Sequence, residues 1–247
     1  RRVLFRSFSS DAFGCFGALS GNIFADELNY ECEWYPESRR YYANIVGKFG
    51  LQVLNILKKL ADLDIELICS LHGPIYRRKE DILACFKKYQ TWGSYSPEDD
   101  EVVIFSGSVY GHTEEFSTLL ATLVAQRGIR NTKVLDISSI DVSYLISEAF
   151  RVKVLVFASS SYNGGLFTPM ENFLMDLVAH NFQNRDVFVV ENGSWALTAG
   201  KSMREIIGQL KKVNIAEETI SIKSLLTEDQ YADTVAMADK IVECLKK

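Results

Sequence analysis

The chain is poor in several features that would narrow its function at once. It has 4 Pro and 3 His among 247 residues. No uninterrupted apolar segment approaches the ~18 residues of a membrane span. No run of Lys and Arg of the kind that tracks nucleic acid occurs, and the formal net charge is -5. The 5 Cys (Cys15, Cys32, Cys69, Cys85 and Cys244) are scattered, odd in number and form no C-x-x-C pair. That excludes a disulfide framework or a Cys-rich metal site, and it reads as reduced thiols in a cytoplasmic protein. No charged segment leads into an apolar one at the start, so no signal peptide is read in these residues. What is present is 47% hydrophobic and 24% charged, enough for a sizeable core in one or two domains.

The chain is organised around Val102-Val103-Ile104-Phe105-Ser106-Gly107-Ser108-Val109-Tyr110-Gly111-His112-Thr113-Glu114. A β-branched apolar run ends in a small, hydroxyl-rich loop that opens into an amphipathic helix. Backbone N–H groups at a helix start are unpaired and the helix dipole favours an anion there. Ser108 and Thr113 add hydroxyls, and Gly111 lets a ligand approach the backbone. No Lys or Arg lies in the stretch, so a phosphate here is held by neutral donors, unlike a Walker-type loop. The plainer alternative is an ordinary βα turn with Thr113 as helix N-cap.

From residue 101 onward, strands alternate with helices. Strands are predicted over Glu101 to Ser106, Thr132 to Ile137, Lys153 to Ser159, Asp186 to Glu191 and Glu218 to Ile222. Apolar faces at helical spacing lie between them, with Thr168-Pro169-Met170-Glu171 and Thr227-x-x-Gln230 read as capping boxes. The pattern predicts an α/β fold: a flavodoxin-like, doubly wound, five-stranded parallel sheet covered on both faces, over residues 98–247. Ligands of such sheets sit at the carboxyl ends of strands. Three loops are expected to meet there: the one just described, then Ser159 to Phe167, then Glu191 to Ala196, with Ser160-Ser161-Tyr162-Asn163-Gly164-Gly165-Leu166-Phe167 and Asn192-Gly193-Ser194-Trp195 as ligand-binding residues. Tyr162 and Trp195 are placed to stack on a flat heterocycle, with Gly-rich backbone for its polar edge. Together these loops suit a mononucleotide with a large planar ring; singly, each aromatic reads equally as rim packing.

Residues 8–97 form a different kind of segment. Ser9 to Gly14 is a polar loop carrying Asp11. Tyr42 to Leu60 keeps one apolar face and predicts a single long helix. Ile65 to Leu71 predicts a short strand running into His72-Gly73-Pro74, and Glu80 to Tyr89 predicts another helix. Ser94 to Asp100 reads as a linker. Asp11 and His72 alone read as a turn cap and a loop hydrogen bond. The first seven residues, with no Met before them, are similar to the translation of a common short-read sequencing adapter. Residues 1–7 are therefore left out of the fold reading, the alternative being a native basic strand.

On these motifs the chain from about Phe8 onward resembles an A-type flavodiiron protein, truncated at its N-terminus. Ser108 to Glu114 resembles that family's phosphate loop, and Tyr162 to Phe167 and Glu191 to Trp195 its two isoalloxazine loops. Ser10-Asp11-Ala12-Phe13-Gly14 resembles the segment with the carboxylate bridging two irons, and Leu71-His72-Gly73-Pro74 the one with the last His ligand. Arg39 to Asn44 fits the same family. The resemblance implies FMN in the second domain and, for residues 8–97, the C-terminal part of a metallo-β-lactamase-like di-iron domain. It implies that the intact protein reduces O2 to water or NO to nitrous oxide, fed by a rubredoxin or a flavin/rubredoxin reductase, in a head-to-tail homodimer. The family's H-x-E-x-D-H segment is not found here: the other His are His112 and His180. A complete di-iron site is therefore not expected from these residues. Two other readings remain: a flavodoxin-type electron carrier with an unrelated extension, and a binding module that has lost its flavin.

Overall fold

A computed structural model of the chain describes residues 5–246. Two compact units result, Arg1–Ser96 and Pro97–Lys247.

In the first unit, strand β1 (Phe5–Ser10) pairs in parallel with β2 (Ile65–Ser70), Phe5 opposite Ile65 and Phe8 opposite Cys69. Residues 1–4 lie outside the described residues, but Phe5 to Ser7, left out of the fold reading, are part of this strand. Its hydrogen-bond partners lie some sixty residues away, which no local pattern in Phe-Arg-Ser-Phe-Ser-Ser announces.

The predicted long helix is broken. Helix α1 (Tyr35–Tyr41) passes into a π-helical turn over Tyr42–Val46, then a 3-10 turn over Gly47–Phe49, before α2 (Gly50–Leu60). The cause is Tyr95, whose hydroxyl donates to the Gly47 carbonyl at 2.8 Å and accepts the Gly50 N–H at 3.4 Å. A side chain inserted into the i→i−4 ladder displaces it, and two weak helix formers let it in. Gly50 also faces helix α3 (Lys79–Gly93): a Cβ there would lie 2.4 Å from the Gly93 carbonyl. Tyr42, Tyr89 and Trp92 form a buried aromatic cluster with Phe13. The Tyr89 hydroxyl accepts the Phe13 N–H at 2.6 Å, so the loop carrying Asp11 is tied to the core.

The second unit is an α/β fold around a parallel sheet. Its strands are β3 (Asp99–Gly107), β4 (Lys133–Asp136), β5 (Val152–Tyr162), β7 (Gln183–Asn192) and β8 (Lys211–Ile222), in the spatial order β4-β3-β5-β7-β8. A sixth, two-residue strand β6 (Gly165–Leu166) folds back antiparallel on β5. Val102 to Phe105 and Val154 to Ala158 are fully buried, as central strands covered on both faces must be. One face carries α4 (His112–Gln126) and α8 (Glu228–Lys246), whose Leu120, Val124, Ile241 and Leu245 pack on Val102, Ile104 and Val156. On the other face, Phe105 and Phe157 stack 5.6 Å apart beneath Phe173 of α6 (Thr168–Ala179).

Strand β8 starts seven residues earlier than predicted. Both its faces are largely exposed over Lys211 to Glu218, so period-two patterning is absent there. The guanidinium of Arg204, in α7 (Ala199–Ile207), anchors this stretch by donating to the carbonyls of Ala216, Glu217 and Glu218. Thr168-x-x-Glu171 is not a capping box. Thr168 is already helical; Phe167 is the cap, and its carbonyl accepts from Met170 and Glu171. At Thr227 the box is half made, with Gln230 Oε1 accepting the Thr227 N–H at 3.1 Å.

At the amino end of the sheet, Arg151 closes α5 (Val142–Arg151) against β3. It donates to Asp99 at 2.8 Å, to Glu148 at 2.8 Å and to Glu101. Burial opposes the charged form of Glu148, but hydrogen bonds and charge from Arg151 and Lys133 outweigh it and hold the carboxyl below its ordinary range.

Candidate functional site

The carboxyl ends of β3, β5 and β7 open onto a cleft of about 600 Å³, within the usual range for small-molecule sites. From the first loop it is lined by Ser108, Val109, Tyr110, His112 and Thr113. The second contributes Ser160, Ser161, Tyr162, Asn163 and Gly164, and the third Asn192, Gly193, Ser194, Trp195 and Ala196.

At one end sits the start of α4. Gly111 is its N-cap at φ +94°, a left-handed conformation that disfavours any side chain. Thr113 is therefore not the N-cap of the plainer sequence reading; it lies inside the first turn and is almost fully buried. Ser108 Oγ accepts the Gly111 N–H at 2.9 Å, which leaves its own proton for another acceptor. Thr113 Oγ1 and Ser160 Oγ are 3.0 Å apart. The first intrahelical bond runs from the Glu115 N–H to the Gly111 carbonyl, so the amides before it have no helical partner. Hydroxyls and free amides without Lys or Arg form a donor set for a phosphate monoester.

At the other end are the aromatic side chains. Trp195 is fully exposed and Tyr162 about half so. The loops that carry them are braced from behind. Ser161 Oγ accepts the N–H groups of Thr198 and Ala199 at 3.0 and 3.2 Å, docking the start of α7. The buried Glu191 carboxylate accepts the Gly200 N–H and the Ser221 hydroxyl, both at 2.7 Å. Gly193 is required by close approach, since a Cβ would meet the Ala196 carbonyl at 2.4 Å.

Four of the residues read as ligand-binding do not border the cleft. Gly111 shapes the turn. Gly165 and Leu166 form β6, pairing with Tyr162 and Ser161, and Phe167 caps α6 with its ring 6.2 Å from Tyr162. A short hairpin turns this part of the loop back under the cleft. One lining residue lies outside the three loops: Ser224, from the segment after β8. It carries no local signal, being left-handed at φ +64° without being Gly or Asn.

In the first unit, His72 Nε2 lies 3.4 Å from Asp11 Oδ1, both side chains about half exposed. Tyr41 donates to the same Oδ1 at 3.3 Å, and burial together with the Asp11 charge pushes its phenol up to about 12, keeping it a donor. Among the described residues no group of three or more His, Cys, Asp or Glu is assembled to hold a metal ion. Among the described residues no helix is long and apolar enough to cross a membrane.

No family model matches the chain. Anaerobic nitric oxide reductase flavorubredoxin of Shigella flexneri is 22% identical over 228 residues, 91% of this chain and 46% of that protein. The solved structure of rubredoxin oxygen:oxidoreductase from Desulfovibrio gigas superposes with a TM-score of 0.88 at 25% identity, over 97% of this chain and 59% of that one. The flavodiiron protein of Giardia intestinalis has the same fold, with a TM-score of 0.87 at 22% identity over the same shares. The chain spans about half the length of the curated relatives it matches. In sequence and in fold, the homologues of this chain are flavodiiron proteins, flavorubredoxin and rubredoxin:oxygen oxidoreductase among them.

Proposed function

We propose that residues 98–247 form a flavodoxin-like FMN-binding domain whose cleft holds the phosphate at Ser108 to Thr113 and the ring between Tyr162 and Trp195. The observation that carries this is the pairing, in one cleft, of a neutral-donor anion site at a helix start with two exposed aromatic side chains. Bound there, FMN would supply reversible electron transfer. The residues of this chain bind and orient it: hydroxyls and amides at one end, aromatic faces at the other, and Ser161 and Glu191 bracing the loops between. Residues 8–97 we assign to the C-terminal part of a metallo-β-lactamase-like domain, with Asp11 and His72 as two ligands of a di-iron centre. The other ligands would come from the portion of the longer relatives that this chain does not span. In that longer protein the activity would be reduction of O2 to water, of NO to nitrous oxide, or both. Electrons would come from a rubredoxin or a flavin/rubredoxin reductase, within a head-to-tail homodimer in the cytoplasm.

Titration with FMN and with riboflavin tests the flavin assignment. FMN should bind more tightly, and Thr113→Ala should remove about 1 kcal/mol or more of that preference, the scale of a hydrogen bond to a charged group. Equal affinity for the two flavins would mean that the loop holds no phosphate.

A further inference from the structure

The cleft contains no Lys or Arg, yet one of its lining residues can carry a positive charge: His112, the first residue of α4. His112 borders the cleft on one side and a small recess of about 110 Å³ on the other. Its Nδ1 faces the Glu115 carboxylate of its own helix at 3.4 Å. Among the described residues nothing is hydrogen-bonded to its Nε2. Across the recess, Ile222, Ser224, Leu225 and Leu226 bring no titratable group; Lys223, between two of them, does not line it. Across the cleft, Tyr162 is the one titratable side chain among the residues lining it from the second and third loops. Glu114, next but one along the helix, adds a second carboxylate to the first turn. With His112 neutral, the hydroxyls and amides of the loop hold a dianion without any positive side chain beside them. Protonation of this one residue places a positive charge at the helix end of the cleft.

We propose that His112 makes recognition of a phosphate monoester in this cleft proton-linked: the imidazolium pairs with the phosphate dianion and adds to the hold of the hydroxyls and amides, so the preference for FMN over riboflavin is larger while His112 is charged. This rests on the FMN reading above. The sign follows from linkage. A dianion beside an imidazole raises the pKa of the imidazole in the complex. The extra affinity is therefore present while the imidazole of the complex is protonated, given a dianionic phosphate, and is lost as rising pH removes that proton. Protonation of the phosphate itself, near pH ~6, trims affinity on the acid side. FMN affinity then has an alkaline limb that belongs to His112 and an acid limb that belongs to the ligand. Riboflavin has neither.

Flavin-fluorescence titrations of the full chain with FMN and with riboflavin, from pH ~5.5 to ~9, span the ordinary ranges of an imidazole and a phosphate monoester. The parent should lose about fivefold in FMN affinity along the alkaline limb, the worth of a half-exposed ion pair. His112→Asn should lack that limb and bind FMN at neutral pH as weakly as the parent does at alkaline pH. His112→Lys should stay tight through the alkaline range. Riboflavin affinity should be the same in all three at every pH, which also reports an intact cleft. An alkaline limb retained in His112→Asn, or shared by riboflavin, overturns the proposal. No preference for FMN over riboflavin at any pH, or no flavin binding, overturns the phosphate reading itself and this inference with it.

Discussion

Asn192 grips Ser224 on both sides of its backbone. Its Nδ2 donates to the Ser224 carbonyl at 3.1 Å, and its Oδ1 accepts the Ser224 N–H at 3.0 Å. Ser224 is held at φ +64°, where a residue with a Cβ is seldom found, while its hydroxyl meets that of Ser194 at 2.8 Å. The amide that ends β7 thereby recruits a fourth segment to the cleft.

Asn192→Ala should release that segment. Two hydrogen bonds made by a nearly buried side chain disappear, and the unfolding free energy should fall by about 1–3 kcal/mol. FMN affinity should fall with it. Urea denaturation and flavin titration give the two numbers, and a variant unchanged in both would show that the clamp supports nothing.

Trp195, fully exposed, is the aromatic group with most to gain from a stacked ring. Trp195→Ala or Tyr162→Ala should weaken flavin binding by about 1 kcal/mol and relieve quenching of flavin fluorescence in whichever variant loses the stacking residue. Should both variants keep the parent's fluorescence and reduction potential, neither side chain stacks.

Acid should loosen the second unit through Glu148. Its carboxyl is held below the ordinary range in the folded state. The stability it contributes is present above the unfolded value, about 4.3, and lost as pH falls through the lower folded value. Arg151→Met, which removes the cation facing Glu148, Glu101 and Asp99, should cost about 3–5 kcal/mol at neutral pH and flatten this acid dependence. Thermal melts from neutral to acid pH compare the two chains, and parallel curves would remove Glu148 as the cause.

The chain should bind FMN without assembling a working pair of irons. Asp11 and His72 are the only two groups of the proposed ligand set among the described residues, and metal affinity falls steeply as ligands are removed. Iron analysis and anaerobic NO consumption by the reduced chain are the measurements. About two irons per chain with rapid turnover would refute the ligand assignment.

The parallel core was readable because Val102 to Phe105 and Val154 to Ala158 are continuous apolar runs, which only doubly covered strands need. The loops after them were readable because Gly, Ser and Asn follow each run directly. What escaped the sequence depends on distant partners. The break before α2 is made by a tyrosine forty-five residues from Gly50, and β1 by a strand some sixty residues on. Ser224 owes its place to Asn192, thirty-two residues earlier, and nothing in Lys-Ser-Leu signals a left-handed residue. The first half of β8 lacks alternation because both its faces are largely exposed.

One hydrogen bond joins the hydroxyls of Thr113 and Ser160, and either can be its donor. An anion that accepts a hydrogen bond from the Thr113 hydroxyl fixes the direction: Thr113 must then accept from Ser160, whose hydroxyl turns away from every other acceptor. Filling the helix end of the cleft thus resets a donor on the loop that carries Tyr162. Such a linkage is reciprocal, so a ring ligand that claims the Ser160 proton alters the helix end to the same degree. Inorganic phosphate and riboflavin added together would be two interacting guests, and their joint occupancy would differ from the product of their separate ones.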